Sequence, residues 1–579
     1  MLPHLTNKAQ LRVTRSIQVP VLIVGGGPVG LLGAVLLARR GVNVLLAEKH
    51  LQRLEAPKAH ALNPRSLEIC AAAGLPMDAL HAAAAPAQEG ATVRMVTSLS
   101  GEEIGSLPYE RQDDAVRCFT RWPLINIAQP HFERVLEQCA TSLKGVEIRR
   151  GLEWISCAQN DDGVASVLRD RDTGEDLAVR SRYLIAADGA GSAVRDHLGI
   201  AMEGPEVLQS SMMIHFEANL RSLVAQRPAI LYFLFGPGVN GVLIAYDLGK
   251  TWVLMHRCAP GSRPQDFDVT TCLRLVHKAI GTEAFGVQIK GVRPWVMSAQ
   301  VAARYRSGQV FLAGDAGHRF PPSGGLGLNT GIADIHNLAW KIAAIDAGHA
   351  GAGLLDSYEV ERKSVAETNM RQSLTNSRRL RTLAEALGYG PDGSVDPQTF
   401  AARLTDPVSR TRVAEAVAYQ KDHFDSLRLQ LGYTYGTAPD PDEDLPISVF
   451  RPRAVVGGRL PHLQLQDGRS SIDLVASDAF TLIAGAAGTA WRHAFDGSPV
   501  PVTLRLQGLD FACNTDFATV MGLGADGAIL VRPDGHILAL ATCAGTGSTR
   551  HLAAALTDYL TIPAIAAAHG RSTPMAANS

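Results

Sequence analysis

Gly314-Asp-Ala-Gly-His-Arg-Phe-Pro-Pro-Ser-Gly-Gly-Leu-Gly-Leu-Asn-Thr-Gly-Ile-Ala-Asp-Ile-His-Asn-Leu-Ala-Trp340 is the stretch around which the chain is organised. The apolar run Val310-Phe-Leu-Ala feeds into Gly314-Asp315 and predicts a buried strand ending in a sharp turn. A loop carrying Gly324, Gly325 and Gly327 follows, and then Ala333, Leu338, Ala339, Ile342 and Ala343 recur at helical spacing. Strand, glycine loop and helix in this order bring backbone N–H groups at a helix N-terminus close to a negatively charged ligand.

A second stretch asks for the same ligand. Val19-Pro-Val-Leu-Ile-Val24 predicts a short buried strand, followed by Gly25-Gly-Gly27-Pro28-Val-Gly30 and a helix with Leu32, Val35 and Leu36 on one side. A further strand from Asn43 ends at Glu48, 18 residues beyond Gly30. This is a βαβ unit with Gly-x-Gly-x-x-Gly in its proper place. Gly25 permits the tight turn, Gly27 lets the backbone approach a pyrophosphate, and Gly30 allows close helix–strand packing. An acid at position 48 suits the ribose of FAD or NAD(H) and disfavours a 2′-phosphate. A third strand, Tyr183-Leu-Ile-Ala-Ala187, runs into Asp188-Gly189 and a turn reaching Arg195.

Length and composition bound the rest. At 579 residues the chain implies roughly three or four domains. A charged fraction of 19% and a net charge of −1 give no bulk attraction for nucleic acid or anionic membrane. Eight cysteines occur without a Cys-x-x-Cys pair, which argues against a zinc site or a redox dithiol and suits a reducing cytoplasm. No apolar run of about 18 residues exists, and we expect neither a membrane span nor a signal peptide. Residues 1–18 read as a polar leader, 145–185 as a strand meander, 205–300 as strand-rich, 354–435 as helical and charged, and 438–446 as a linker. A smaller α/β unit follows, from about 455.

The three fingerprints in this order, Gly25–Gly30, Asp188-Gly189…Arg195 and Gly314-Asp315…Pro321-Pro322…Asn329, resemble those of the single-component flavoprotein aromatic hydroxylases. The resemblance covers nearly the whole chain and is closest to the branch acting on phenol, chlorophenols and 2-hydroxybiphenyl. It implies an α/β (α+β) architecture: a p-hydroxybenzoate-hydroxylase-like, Rossmann-type FAD domain (1–200 and 300–450), an inserted β-sheet substrate domain (201–299, with some of 85–125) and a C-terminal thioredoxin-like domain (455–579). It implies a monooxygenase in which NAD(P)H reduces FAD, O₂ adds to give a C4a-hydroperoxyflavin, and one oxygen passes to a phenolic ring. Asp315 would then bind the ribityl chain. Pro322, Gly325, Gly327, Leu328 and Asn329 would face the pyrimidine end of the flavin, and Lys58, Gln129 and Arg134 the dinucleotide side. Asp188 would serve the cofactor groove.

A phenolate reacts faster with an electrophilic oxygen than a phenol does, so a proton acceptor is expected beside the substrate. His60 stands at the matching position of the resembled motif, with helix capping as its alternative role. His215, Tyr232, Tyr246 and Pro321 are candidate substrate contacts, against which ordinary sheet packing competes. The partners implied are a small aromatic substrate, O₂ and NAD(P)H, with a homodimer also implied by the resemblance. A polyketide-type hydroxylase and a flavin-dependent dehydrogenase or reductase remain open alternatives. Lys58 where arginine is usual, Gly317, His336 and the ending His536-Ile-Leu-Ala-Leu540 depart from the family pattern.

Overall fold

In the computed structural model, described over residues 13–53, 55, 58–436 and 442–562, the chain builds three main sheets. Most of the expected polar leader, the first part of the expected linker and the final residues lie outside the described range. The central sheet has five parallel strands in the order Val310–Leu312, Asp176–Ala186, Val13–Val24, Val44–Glu48 and Val146–Arg150. Such strands are covered on both faces, which is why Val21, Leu22, Ile23, Leu184, Ile185, Val310 and Phe311 form unbroken apolar runs. An antiparallel meander, Leu152–Asn160 and Gly163–Asp170, leads into the strand Asp176–Ala186.

One consequence of this order organises everything else. The strands ending at Val24, Ala186 and Leu312 are neighbours, so the three glycine fingerprints emerge side by side at the carboxyl edge of the sheet. In open α/β sheets that edge is where ligands bind. The helices Pro28–Ala38 and Leu326–Asp346 pack directly on one another. A methyl group on Gly33 would lie 2.7 Å from Ile335, and one on Gly331 would lie 2.7 Å from Val29 and 2.9 Å from the Gly314 backbone. Only glycine at position 331 lets the long helix approach the Gly314 turn this closely.

The second sheet has seven strands: Gln288–Met297, Gln209–Glu217, Thr251–Cys258, Val239–Ala245, Leu231–Gly236, Thr92–Val96 and Glu103–Pro108. Strand alternation gives it two different faces. Met212, Ile214, Phe216, Tyr232, Leu234, Leu243, Trp252 and Leu254 form a dry core with the helix Val269–Ile280. The opposite face turns toward the central domain, where Met213, Tyr246 and Val253 cluster with Ala128, and Phe233 clusters with Ala61 and Tyr109.

The third sheet orders Val502–Leu506, Phe480–Ala484, Ala528–Val531 and Ile537–Ala541, with the helix Thr546–Leu560 against it. It is joined to the central domain by buried charge. Glu361 accepts from both terminal nitrogens of Arg532 (2.7 and 2.9 Å), from Lys341 (2.7 Å) and from Tyr559 (2.9 Å). These partners outweigh the desolvation of Glu361 and hold its carboxyl far below the usual range. Arg459 reaches Glu68 in the same way.

Candidate active site

The Gly25 turn is built against the next strand end. A methyl on Gly25 would meet the Ala187 carbonyl oxygen at 2.2 Å, and one on Gly30 would meet the Gly25 carbonyl oxygen at 2.0 Å. Both positions therefore exclude any side chain. Gly27, Gly189 and Gly327 behave differently, since a methyl on any of them would meet no atom within 4 Å. These three glycines open onto free space along the carboxyl edge. Glu48 accepts hydrogen bonds from the backbone of Gly26 (2.7 Å) and His50 (2.8 Å), which aims its carboxylate at the same edge. Pro28 is buried at the first turn of its helix.

The other two loops carry acids at equivalent positions. Asp188 accepts from the Val194 backbone through one oxygen, while its second oxygen is buried without a partner. Burial raises its pKa. Asp315 is exposed at the rim, in the single turn Gly314–Ala316, and its carboxylate has no hydrogen-bond partner among the described residues. Arg195 ties these loops together by donating to the Ala190 and Ala316 carbonyls (3.1 and 3.3 Å). The long helix begins at Gly325, which adopts a left-handed conformation (φ 62°). Leu328 is half-buried, Pro321 is buried and Pro322 is exposed.

Asn329 has a fully occupied side chain. Its amide nitrogen donates to the Ala61 and Gly325 carbonyls (3.0 and 2.7 Å), and its oxygen accepts from the Asn63 backbone and the Ser66 hydroxyl (3.0 and 2.6 Å). It fastens the segment 61–66 to the helix start. Gln129 likewise takes the Ala59 N–H and donates to Glu133, pinning the loop ahead of His60. Lys58 is exposed, and Arg134 forms only a loose, exposed pair with Glu55 (3.6 Å).

His60 projects where the loop, the second sheet and the glycine loop meet. Its ring centroid lies 5.8 Å from that of Tyr109 and 6.1 Å from that of Tyr246. Its Nδ1 faces the Asn126 amide oxygen at 3.1 Å. Burial lowers its pKa to about 4, against a smaller upward pull from Asn126, so the ring is neutral at pH 7. Tyr246 donates its hydroxyl to the Lys58 carbonyl (2.7 Å), bolting the sheet to the loop that carries His60. The Tyr109 hydroxyl would touch a methyl placed on Gly325 at 3.5 Å, which sets it at the mouth of the glycine loop.

Two expectations need correction. Tyr232 is absent from this group: strand parity sends it to the opposite face, where it packs on Trp252 and donates its hydroxyl to the Arg227 carbonyl. The side chain of Asn329 has no spare valence to offer a cofactor, which leaves only its backbone for that role. His215 does lie on the inward face, in register with Val253, at the far end of the row from Tyr109. Tyr109, Asn126 and the acid Asp334 were not read from the sequence. For Asp334 a signal existed, because a lone carboxylate inside an otherwise apolar helix must find buried partners. It takes the Gly314 N–H (3.2 Å), His318 (2.9 Å) and Arg362 (2.8 Å).

Comparison with known proteins gives the family and the fold. A family profile described as FAD binding domain matches residues 18–373, and one described as Aromatic-ring hydroxylase, C-terminal, matches residues 453–563. The chain is 33% identical to 2,4-dichlorophenol 6-monooxygenase of Cupriavidus pinatubonensis, over 94% of this chain and 97% of that protein. It is 34% identical to tetracenomycin B2 monooxygenase-dioxygenase of Streptomyces olivaceus, over 90% and 95%. Among solved structures, the flavin-dependent monooxygenase PieE in complex with FAD and substrate superposes with a TM-score of 0.87 at 32% identity, covering 94% of this chain and all of that one. The residues present fit FAD: glycines facing free space, a buried unpaired Asp188 oxygen and an unengaged Asp315 carboxylate line one edge.

Proposed function

This chain belongs to the FAD-binding aromatic-ring hydroxylases, and from that premise we propose that it acts on a ring bearing a free phenolic hydroxyl, with His60 as the proton acceptor. It is an FAD-dependent monooxygenase that consumes NAD(P)H and O₂. When bound, FAD supplies the electron transfer and the oxygen activation. The protein supplies position and charge. In our reading Gly25, Gly27, Gly30 and Glu48 hold the dinucleotide end, with Lys58 and Arg134 as flanking cations, and Asp188 and Asp315 take hydroxyl donors. The helix N-terminus from Gly325 to Asn329 offers a partial positive charge of about +0.5 to an anionic ring.

The observation that carries the assignment is the half-buried His60 ring set between Tyr109 and Tyr246 at the mouth of the glycine loop, its pKa lowered by burial. A neutral imidazole there can take the hydroxyl proton before the ring is attacked, leaving a phenolate and an imidazolium. A cytoplasmic setting suits the eight free cysteines. A homodimer rests on the family resemblance, and its test is the mass in solution.

A second reading, a larger polyketide-type ring system, has its own support. Leu231, Ile244, Val253 and His215 stand in one register row across four strands, and Phe233, Val242, Met255 and Met213 in the next. At about 4.8 Å per strand that apolar wall is roughly 14 Å wide, broader than one ring requires. The deciding experiment is NADH and NADPH oxidation by the FAD-loaded enzyme with single-ring phenols and with fused hydroxylated rings, alongside oxygen uptake and product mass. A product heavier by one oxygen ranks the two classes. In the same assay His60→Gln should lower hydroxylation about 10²- to 10⁴-fold at pH 7 and recover partly as pH rises. Unchanged turnover across pH would remove His60 from the mechanism.

A further inference from the structure

The Nδ1 edge of His60 is held by a chain of amides whose directions are forced. Gln112 donates its nitrogen to two backbone carbonyls, Tyr109 (2.8 Å) and Gly90 (3.1 Å), so its side-chain oxygen must point the other way. That oxygen faces the Asn126 amide nitrogen at 3.5 Å, and the same nitrogen donates to the Gly90 carbonyl at 3.1 Å. Reversing the Asn126 amide would set its oxygen against two other oxygens. Its oxygen therefore faces His60, at 3.1 Å from Nδ1. An amide oxygen can only accept, so Nδ1 must carry the hydrogen.

The site is constructed for this arrangement. Asn126 is 4% exposed and lies in the two-residue strand Ile125–Asn126, paired with Ala61–Leu62 just after His60. The Ile127 N–H donates to the His60 carbonyl at 2.6 Å. A methyl on Gly90 would come within 2.5 Å of the Asn126 amide nitrogen, so only glycine at position 90 admits the contact. The His60 Nε2 atom has no hydrogen-bond partner among the described residues.

We propose that Asn126, oriented by Gly90 and Gln112, is a positioning residue that fixes His60 as the Nδ1–H tautomer and so presents Nε2 as the acceptor of the substrate proton. The inference rests on the reading of His60 as that acceptor. In the step it serves, the substrate O–H bond breaks as an Nε2–H bond forms. An amide in place of a carboxylate also leaves the imidazole without a counter-ion, in keeping with its lowered pKa. The tautomer is therefore selected without charging the ring.

The test is a long-range ¹H–¹⁵N correlation spectrum of the FAD-loaded enzyme labelled with ¹⁵N-histidine, with the His60 signals identified by their loss in His60→Gln. A protonated Nδ1 and an unprotonated Nε2 are expected in the unaltered protein. Asn126→Ala should give a mixture of tautomers and lower hydroxylation about tenfold or more, with the KM for the phenol moving less than twofold. Gln112→Ala should do the same more weakly and serves if Asn126→Ala does not fold. A protonated Nε2 in the unaltered protein, or an unchanged tautomer in Asn126→Ala, would overturn the proposal. If the tautomer responds as expected while His60→Gln hydroxylates normally, the positioning stands and the proton-acceptor reading falls.

Discussion

Removing the Arg362 guanidinium tests whether the buried Asp334 cluster holds the Gly314 loop. Arg362 is fully buried and makes three hydrogen bonds: Nε to Asp334 (2.8 Å), one terminal nitrogen to the Tyr435 hydroxyl (3.1 Å) and the other to the Thr330 carbonyl (3.2 Å). Asp334 is also fully buried, and its second oxygen takes His318 and the Gly314 N–H. Burial pushes the Asp334 carboxyl up, but Arg362, and then His318, outweigh it and hold the group below its ordinary value. Arg362→Met keeps much of the side-chain volume and leaves a buried carboxylate without its cation. Breaking one side of such a pair costs about 3–5 kcal/mol.

The sign of the pH dependence follows from linkage. In the unaltered protein Asp334 has a folded pKa below the unfolded value of about 3.9, so its stabilising contribution is present above that value and lost as pH falls through the folded one. In Arg362→Met burial dominates and the folded pKa rises. The penalty is then largest at neutral pH and shrinks toward pH 5 as Asp334 takes up a proton. Urea unfolding followed by flavin release, at pH 7.5 and pH 5, measures both effects. Asp334→Asn combined with Arg362→Met should recover a good part of the loss, because the orphaned charge is gone. A loss under 1 kcal/mol at pH 7.5 (on the order of a quarter of the expected value), or a gap that does not narrow with acid, would refute the reasoning.

Asp315→Ala should weaken FAD retention by about tenfold, the equivalent of one charge-assisted hydrogen bond, while leaving the melting temperature of the flavin-free protein unchanged; equilibrium dialysis against FAD reads this, and full retention would contradict the assignment. The C-terminal unit should show no disulfide reductase activity in an insulin-reduction assay, since Cys513 and Cys543 do not form a Cys-x-x-Cys pair.

The sequence by itself determined the ligand and the architecture around it. Gly25–Gly30, Asp188-Gly189 and Gly314-Asp315 could be read because a turn that excludes side chains, or a backbone that must approach a phosphate, leaves a local signature of glycines at set spacing. The apolar strands before each loop were equally legible, being buried on both faces. His60 was legible only through the family motif.

The tertiary structure decided which side chains meet. Period-two alternation placed Tyr232 and Tyr246 on strands, and the structure keeps Tyr232 on one while Tyr246 falls just past the strand ending at Ala245; which face of a sheet is covered by a helix depends on how the sheet docks, and that separated the two tyrosines. Asn126 and Tyr109 come to His60 from 66 and 49 positions away, through a two-residue strand and the end of a sheet edge that carry no pattern of their own. Asn329 occupied a motif position yet spends all four of its hydrogen bonds on the protein. Hydrogen-bond capacity is allotted only after the chain has folded, because each donor and acceptor is claimed by whatever partner packing brings within about 3 Å.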